Sequence, residues 1–260
     1  NEIIDQAKYI PHMKIQRVKL IIEYDGTDFS GWQLQPDKLT VQGELEEALR
    51  TVFKQDIRVN GSGRTDSGVH ARNQVAHCDL PADADLNRLI ASLNGLTSRA
   101  ITVKSAKPVH SEFNSRFDAT ARRYRYYISE KPLSIGRQYC LILNRTLDLD
   151  YLNQLSTLII GDHDFESFAK KHSDVEHYRC DVYSANWFRD AELVIFEIKA
   201  IRFLRGMVRA IVGTFLEFEK DKRDSDNLNK LLTAQKRSAA GMNAPAHGLV
   251  LEEIYYPEEK

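Results

Sequence analysis

Strand-like and helix-like segments alternate along the whole chain, and this alternation constrains the fold more than any other feature of the sequence. The first segment is typical of a β-strand, because apolar side chains recur at every second position, at Val18, Leu20, Ile22 and Tyr24. A helix is predicted from Thr40, with one apolar face formed by Val41, Leu45, Ala48, Leu49 and Val52. Both kinds of segment occur in each half of the chain, which predicts a mixed α/β protein.

The same patterns predict the remaining elements. Further strands are expected at residues 57–60, 74–80, 122–129, 193–201 and 248–256. Further helices are expected at residues 86–93, 151–160 and 203–218. The last of these helices has the clearest apolar stripe in the sequence.

A glycine-rich segment, residues 61–71, follows the strand predicted at residues 57–60. Gly61, Gly63 and Gly68 surround one cation, Arg64, and one carboxylate, Asp66. Glycines allow positive φ angles and let a ligand approach the main chain closely. Two interpretations are open at this point: a turn in which Asp66 caps the next segment, or a loop that presents Asp66 as a reactive group.

The overall charge does not favour a protein that binds polyanions over its whole surface. The formal net charge is −1, so a nucleic-acid partner would need local basic patches. The sequence has two such patches. The first comprises Arg116, Arg122, Arg123 and Arg125, and the second comprises Lys199, Arg202, Arg205 and Arg209.

Three arginines of the second patch are spaced three and four residues apart. Arg202, Arg205 and Arg209 would share one stripe at the start of the helix predicted at residues 203–218. Like charges on one stripe repel each other, and no acidic residue lies between them. We therefore expect the stripe to face an anion, either phosphate groups or a buried carboxylate.

The strand predicted at residues 122–129 combines tyrosines with arginines. Arg122, Tyr124 and Tyr126 would lie on one face, and Arg123 with Arg125 on the other. Aromatic rings beside guanidinium groups suit an RNA surface, where rings stack on bases. Tyrosines at the edge of a core would give the same pattern, so both interpretations stay open.

The sequence gives little support for disulfide bonds, a metal site or a membrane span. Cys78, Cys140 and Cys180 are odd in number and far apart, which argues against a disulfide framework and favours a reducing compartment. The residues 162–164 (Asp-His-Asp) more often cap a helix than bind a metal, so no metal site is predicted. No apolar run is long enough for a membrane span, and no signal sequence is evident, so we expect a cytoplasmic protein.

Taken together, these motifs resemble the TruA-type family of tRNA pseudouridine synthases. The resemblance extends from about Arg17 to Pro257, and the order and spacing of its motifs are highly specific. The matching motifs are EYDGT (23–27), GWQ (31–33), VQ (41–42), GRTDSGVHA (63–71), QV (74–75), RRYRY (122–126), DF (164–165), Phe168, FL (203–204), MVR (207–209), VG (212–213) and APAHGL (244–249).

The resemblance implies a cofactor-free isomerisation of uridine in RNA. The glycosidic bond is cut, the base rotates, and ribose C1′ is rejoined to C5 of the base. Asp66 matches the catalytic aspartate of the family, Tyr124 its active-site tyrosine and Arg209 the basic residue that pairs with the aspartate. Arg64 matches an arginine that positions RNA or flips the base. Further RNA contacts are expected from Arg122, Arg123, Arg202 and Arg205.

The resemblance also implies the architecture and the partners. It implies two α/β halves, each a mainly antiparallel sheet with helices on one side, and an active cleft between them. We expect an N-terminal extension at residues 1–16, a first half with the catalytic loop at 17–108, and a second half with the tyrosine strand and the arginine helix at 109–260. Members are homodimers that act on uridines 38 to 40 in the anticodon stem-loop of tRNA.

Two functions of other classes compete with this one. A non-catalytic tRNA-binding protein could use the same cleft, but it would not need Asp66, Tyr124 and Arg209 together. A metal-dependent phosphoryl-transfer or hydrolytic enzyme would need a cluster of carboxylates around Asp66, and a chelator would abolish its activity.

Overall fold

The computed structural model describes residues 14–170, 175–234, 236 and 240–257. Most of the extension expected at residues 1–16 therefore lies outside the described part, and the first strand begins at Ile15. In the described ranges the strands are β1 (Ile15–Tyr24), β2 (Asn60–Gly61), β3 (His70–Pro81), β4 (Ile101–Val109), β5 (Ala121–Ser129), β6 (Leu141–Ile142), β7 (Gly161–Asp164), β8 (Arg179–Asp190), β9 (Leu193–Ala200) and β10 (Leu249–Tyr255). The α-helices are α1 (Val41–Phe53), α2 (Leu86–Leu96), α3 (Leu149–Thr157), α4 (Met207–Asp221) and α5 (Asp226–Ala234).

All of these strands join in one sheet. Its main order is β4-β1-β3-β10-β5-β9-β8-β7, with β2 paired to β3 and β6 paired to β5. The pairings are antiparallel except those of β10 with β3 and of β5 with β6. The predicted mixed fold with a mainly antiparallel sheet is confirmed, and the strands of the two expected halves form a continuous sheet.

The last strand, β10, brings distant parts of the chain together. It lies between β3 and β5, and Leu251 is in register with Ala71 on one side and with Tyr124 on the other. Neighbouring strands are about 4.8 Å apart, so Ala71 and Tyr124 are separated by about 10 Å. Because Ala71 ends the segment 61–71, this register places that segment beside the tyrosine strand.

The core confirms the alternation predicted for the first strand. Val18, Leu20 and Ile22 of β1 are fully buried. Helix α1 begins after Thr40, whose hydroxyl accepts a hydrogen bond from the Gly43 amide and so caps the helix. In the second half, Phe215 of α4 contacts Phe196 of β9, which fixes this helix to the sheet.

Several predicted elements differ in extent from the observed ones, and β4, β6, β7, β8 and α5 were not predicted. The strand expected at residues 57–60 is reduced to Asn60–Gly61, because the Val59 amide donates to the Glu46 carboxylate and not to a neighbouring strand. The helix expected at residues 203–218 begins at Met207, after Gly206, and continues to Asp221. Gly206 has φ of +74°, a left-handed conformation that cannot continue a right-handed helix.

Candidate active site

The segment 61–71 connects β2 to β3 and is fixed to the body of the protein along its length. The Ser62 amide donates to the Val75 carbonyl at 2.7 Å, and the Gly68 amide and the Ser67 hydroxyl both donate to the Phe29 carbonyl. The Thr65 hydroxyl shares a hydrogen bond of 2.8 Å with the phenol of Tyr24. The segment is therefore a positioned loop rather than a free one, and we call it the Asp66 loop.

Asp66 lies between Arg205, which precedes α4, and Arg209, which belongs to the first turn of α4. Its Oδ2 accepts a hydrogen bond from Nη1 of Arg209 at 3.4 Å, and its Oδ1 lies 3.7 Å from Nε of Arg205. The carboxylate also approaches Gly206, since a Cβ at that glycine would lie 3.9 Å from Oδ2. Gly206 precedes the first turn of α4, so the carboxylate faces the positive end of this helix.

Two hydrogen bonds with the backbone of Ala244 hold Arg209 in place. Its Nε donates to the Ala244 carbonyl at 2.8 Å, and its carbonyl accepts from the Ala244 amide at 2.9 Å. The side chain of Arg209 is 19% exposed, whereas that of Arg205 is 64% exposed. One partner of Asp66 is thus rigid and half-buried, and the other remains largely in solvent.

Tyr124 contributes a buried ring from β5. Burial raises its pKa well above the ordinary value of a tyrosine, and the nearby charge of Asp66 raises it further. Phe203 contacts the ring edge-on, with 5.2 Å between the ring centroids. Tyr126 lies on the same face but has a structural role, because its hydroxyl donates a hydrogen bond to the Pro245 carbonyl at 2.8 Å.

The glycines of the Asp66 loop serve different purposes. A Cβ at Gly61 would lie 2.5 Å from the indole ring of Trp32, so this glycine makes room for the protein's own core. Gly68 has φ of +77°, and its backbone favours glycine for that reason. Only Gly63 among the three faces open space, since a Cβ at this position would have no neighbouring atom within 4 Å. Clearance for a ligand is therefore a role for Gly63.

The predicted arginine stripe does not exist on a helix. Arg202 and Arg205 precede α4, and only Arg209 belongs to it, because the helix begins after Gly206. The positively charged groups still meet an anion, as expected, and that anion is Asp66. Arg202 does not join this cluster, since its Nη2 donates to the His177 carbonyl.

The other arginines predicted to contact RNA have different surroundings. Arg122 lies on the Tyr124 face, where its guanidinium donates to backbone carbonyls that include those of Ser62 and Ile201. Arg123 lies on the opposite face and pairs with Glu253 at 2.8 Å, so it is not brought to the cleft. Arg64 is exposed, and within the described ranges it has no hydrogen bond or ion pair.

Sequence reasoning did not identify two residues of this site. Phe203 supports the ring of Tyr124, and Gly206 brings the end of α4 to the carboxylate. Phe203 stands in the FL motif (203–204) and Gly206 precedes the MVR motif (207–209), but neither position predicted these contacts.

The described residues offer no grouping of three or more His, Cys, Asp or Glu side chains that could hold a metal. Asp162 pairs with Arg179, and Asp164 accepts a hydrogen bond from the Glu166 amide. Cys78, Cys140 and Cys180 are free and buried. None of the described helices is both long and apolar enough to cross a membrane.

Comparisons with known proteins agree on one family. A family model described as tRNA pseudouridine synthase matches residues 20–118 and 156–257. A tRNA pseudouridine synthase A of Bacteroides fragilis is 40% identical over 249 residues, covering 95% of this chain and 99% of that protein. The namesake of Chlorobium chlorochromatii is 39% identical, covering 93% of this chain and 100% of that protein.

A third relative comes from another bacterium, and a solved structure gives a weak match. The tRNA pseudouridine synthase A of Brevibacillus brevis is 38% identical over 244 residues, covering 93% of this chain and 100% of that protein. A chain of a Cbf5-Nop10-Gar1 complex gives a TM-score of 0.36 at 10% identity, covering 92% of this chain. This chain spans 59% of the length of that one.

Proposed function

This chain belongs to the tRNA pseudouridine synthase family, and we propose that its Asp66 cleft converts uridine to pseudouridine at positions 38 to 40 of tRNA. The enzyme class follows from the family; the tRNA positions and the residue roles are our proposal. The observation that carries it is the carboxylate of Asp66, set between Arg209 and Arg205 in a fixed loop beside Tyr124.

The reaction balances within a single nucleotide. The C1′–N1 bond breaks, the C1′–C5 bond forms, the proton on C5 is lost, and N1 carries a proton in the product. Asp66 could attack C1′, add to the base, or remove the C5 proton, and each role needs a carboxylate at a fixed position. The contacts with Arg209 and with the Asp66 loop supply that fixed position.

Tyr124 is proposed to contact the target base. Its ring packs edge-on against Phe203, which fixes the orientation in which the ring would meet a base. The phenol is protonated at neutral pH, as tyrosine ordinarily is, and burial raises its pKa further. The hydroxyl can therefore donate a hydrogen bond or pass a proton while the base changes its attachment.

A uridine in a stem must leave the helix before Asp66 can reach it. Such extrusion costs a few kcal/mol of unstacking and unpairing. Arg64 precedes Asp66 by two residues and is exposed, so we propose that it fills the place of the extruded base. Arg202 and Arg205 are proposed to contact phosphates, while Arg122 acts indirectly by holding Ser62 of the Asp66 loop.

We further propose a homodimer in which one anticodon stem-loop contacts both subunits. One chain has a mass of 29.8 kDa, and light scattering of the purified protein should give twice that mass. A mass equal to one chain would contradict this part of the proposal. Free, buried cysteines are consistent with a reducing compartment, and we propose the cytoplasm.

The function is tested on tRNA from cells that lack this protein. Pseudouridine has the same mass as uridine, so carbodiimide labelling and primer extension would locate it at each position. We expect the modification at positions 38, 39 and 40 to be lost, and to return when the wild-type gene is restored but not with Asp66→Asn. Retention of the modification in the deletion strain would contradict the proposal.

A further inference from the structure

One aromatic side chain lies exposed beside the Asp66 loop and has no part in the site described so far. Phe117 is 77% exposed, although phenylalanine is among the residues most often buried. The guanidinium of Arg116 lies 5.5 Å from the centroid of its ring. A cation therefore lies against an aromatic ring that is otherwise open to solvent.

The turn that carries Phe117 is fixed by its own hydrogen bonds. The Asn114 side-chain oxygen accepts from the amides of Arg116 and Phe117, and the Asp118 carboxylate accepts from the Asn114 amide. The Asp118 amide donates back to the Asn114 carbonyl. The exposed ring is therefore held on an ordered turn, which reduces the entropy lost when a ligand binds to it.

The same turn is fastened to the beginning of the Asp66 loop. Nη2 of Arg122 donates both to the Arg116 carbonyl at 2.6 Å and to the Ser62 carbonyl at 3.2 Å. The Ser115 hydroxyl donates to the Asn60 carbonyl at 2.7 Å. The turn thus holds the residues on both sides of Gly61, and Phe117 is displayed next to the loop that carries Asp66.

The surrounding charges favour an anionic ligand with aromatic groups. Arg122 also donates to the Ile201 carbonyl at 2.7 Å, which brings the chain at Arg202 close to Arg116. Arg64 belongs to the Asp66 loop itself. Arg116 and Arg64 are exposed, and exposed arginines together with an exposed ring are typical of surfaces that bind the phosphates and bases of unpaired RNA.

We propose that Arg116 and Phe117 form a stacking platform for an unpaired base of the RNA substrate, next to the nucleotide that enters the Asp66 cleft. Phe117 stacks on the base, and Arg116 contacts a phosphate beside it. The inference rests on the proposed function for the identity of the RNA, but its test measures binding and does not require turnover.

The binding test compares Phe117→Ala with Phe117→Trp and with Leu96→Ala. Leu96 is also an exposed apolar residue, but it ends α2, which is bonded to β4 through Asn94 and Val103. We expect Phe117→Ala to weaken binding of an unmodified tRNA transcript by roughly tenfold, as for the loss of one base–aromatic stack. Phe117→Trp should bind as tightly as the wild type, and Leu96→Ala should not change affinity.

Tryptophan fluorescence gives a second readout. The two native tryptophans, Trp32 and Trp187, are buried, so an indole introduced by Phe117→Trp would be the exposed one. We expect the tRNA transcript to quench its emission, with a much smaller change in the wild type and with a blunt RNA duplex. Unchanged affinity in Phe117→Ala, or no quenching in Phe117→Trp, would overturn the platform.

Two further outcomes separate this inference from its alternatives. If Phe117→Ala changes the number of chains per particle measured by light scattering, the ring contacts a second copy of the chain and the platform is overturned. If tRNA binds and quenches normally but no pseudouridine forms with the wild type, the proposed function fails while the platform stands. Equal melting temperatures of the variants would exclude misfolding as the cause of weaker binding.

Discussion

At the scale of single residues, the site depends on how differently two arginines hold Asp66. Arg209 is half-buried and bonded to Ala244, so its guanidinium has a defined position. Arg205 is mostly exposed and reaches the other carboxylate oxygen at 3.7 Å. The first contact positions the carboxylate, and the second is a solvent-screened ion pair.

This difference predicts unequal effects of the same substitution. We expect Arg209→Ala to lower kcat about 100-fold, as for the removal of one fixed catalytic donor. Arg205→Ala should lower kcat less than about tenfold, because exposed ion pairs contribute about 0.2–1 kcal/mol. Single-turnover pseudouridine formation measures both, and an equal or reversed order would contradict the assignment.

Tyr24 gives a prediction about pH and stability. Burial raises its pKa to about 12, whereas an unfolded tyrosine ionises near 10. Its contribution to folding is complete below about pH 10 and is lost as the pH rises towards 12, because the unfolded chain releases its proton first. Between pH 9 and pH 11 this amounts to about 1.3 kcal/mol.

The contribution is isolated by comparison with Tyr24→Phe. Urea unfolding at pH 9 and pH 11 should show that the free energy of unfolding falls by about 1.3 kcal/mol more in the wild type than in the variant. An identical fall in the two proteins would mean that the Tyr24 phenol ionises as easily in the folded protein as in the unfolded chain.

At the scale of elements, two glycines of the Asp66 loop face different surroundings. Gly61 faces the ring of Trp32, which is itself buried, whereas Gly63 faces open space. The loop therefore has one side that belongs to the core and one side that is free to meet RNA.

Substitution by alanine should affect stability at Gly61 and tRNA binding at Gly63. Gly61→Ala is expected to lower the free energy of unfolding by about 1–3 kcal/mol, because the methyl group overlaps Trp32. Gly63→Ala should change stability by less than about 0.5 kcal/mol but raise KM for tRNA, since the methyl group points to the ligand. Calorimetry and steady-state kinetics check the pair. Equal destabilisation by both would refute this division of the loop.

Many of the elements were predicted, but β4, β8 and α5 were not, and neither were the ends of several others. Apolar alternation gave β1, and the cap at Thr40 gave the beginning of α1. The beginning of α4 could not be predicted from periodicity, because the apolar stripe continues through Phe203 and Leu204. The positive φ of Gly206 separates these residues from the helix, and apolar periodicity does not indicate a backbone conformation of this kind.

At the scale of the whole molecule, the site exists because β10 pairs with both β3 and β5. The sequence identified β10 as a strand, and it identified Asp66, Tyr124 and Arg209 through the family resemblance. It could not give the neighbours of β10, because local patterns carry no information on which strands pair. Arg123 illustrates the consequence: its strand was predicted, but its ion pair with Glu253 of β10 was not.

The whole proposal depends on Asp66, which we propose performs the chemistry in a cleft that can bind tRNA without this carboxylate. Its most direct test measures tRNA affinity and single-turnover pseudouridine formation for purified wild type and Asp66→Asn, with the product detected by carbodiimide labelling. We predict that Asp66→Asn binds tRNA within about threefold of the wild type, a difference below about 0.7 kcal/mol, and forms no detectable product. Product formation at the wild-type rate by Asp66→Asn would contradict the account.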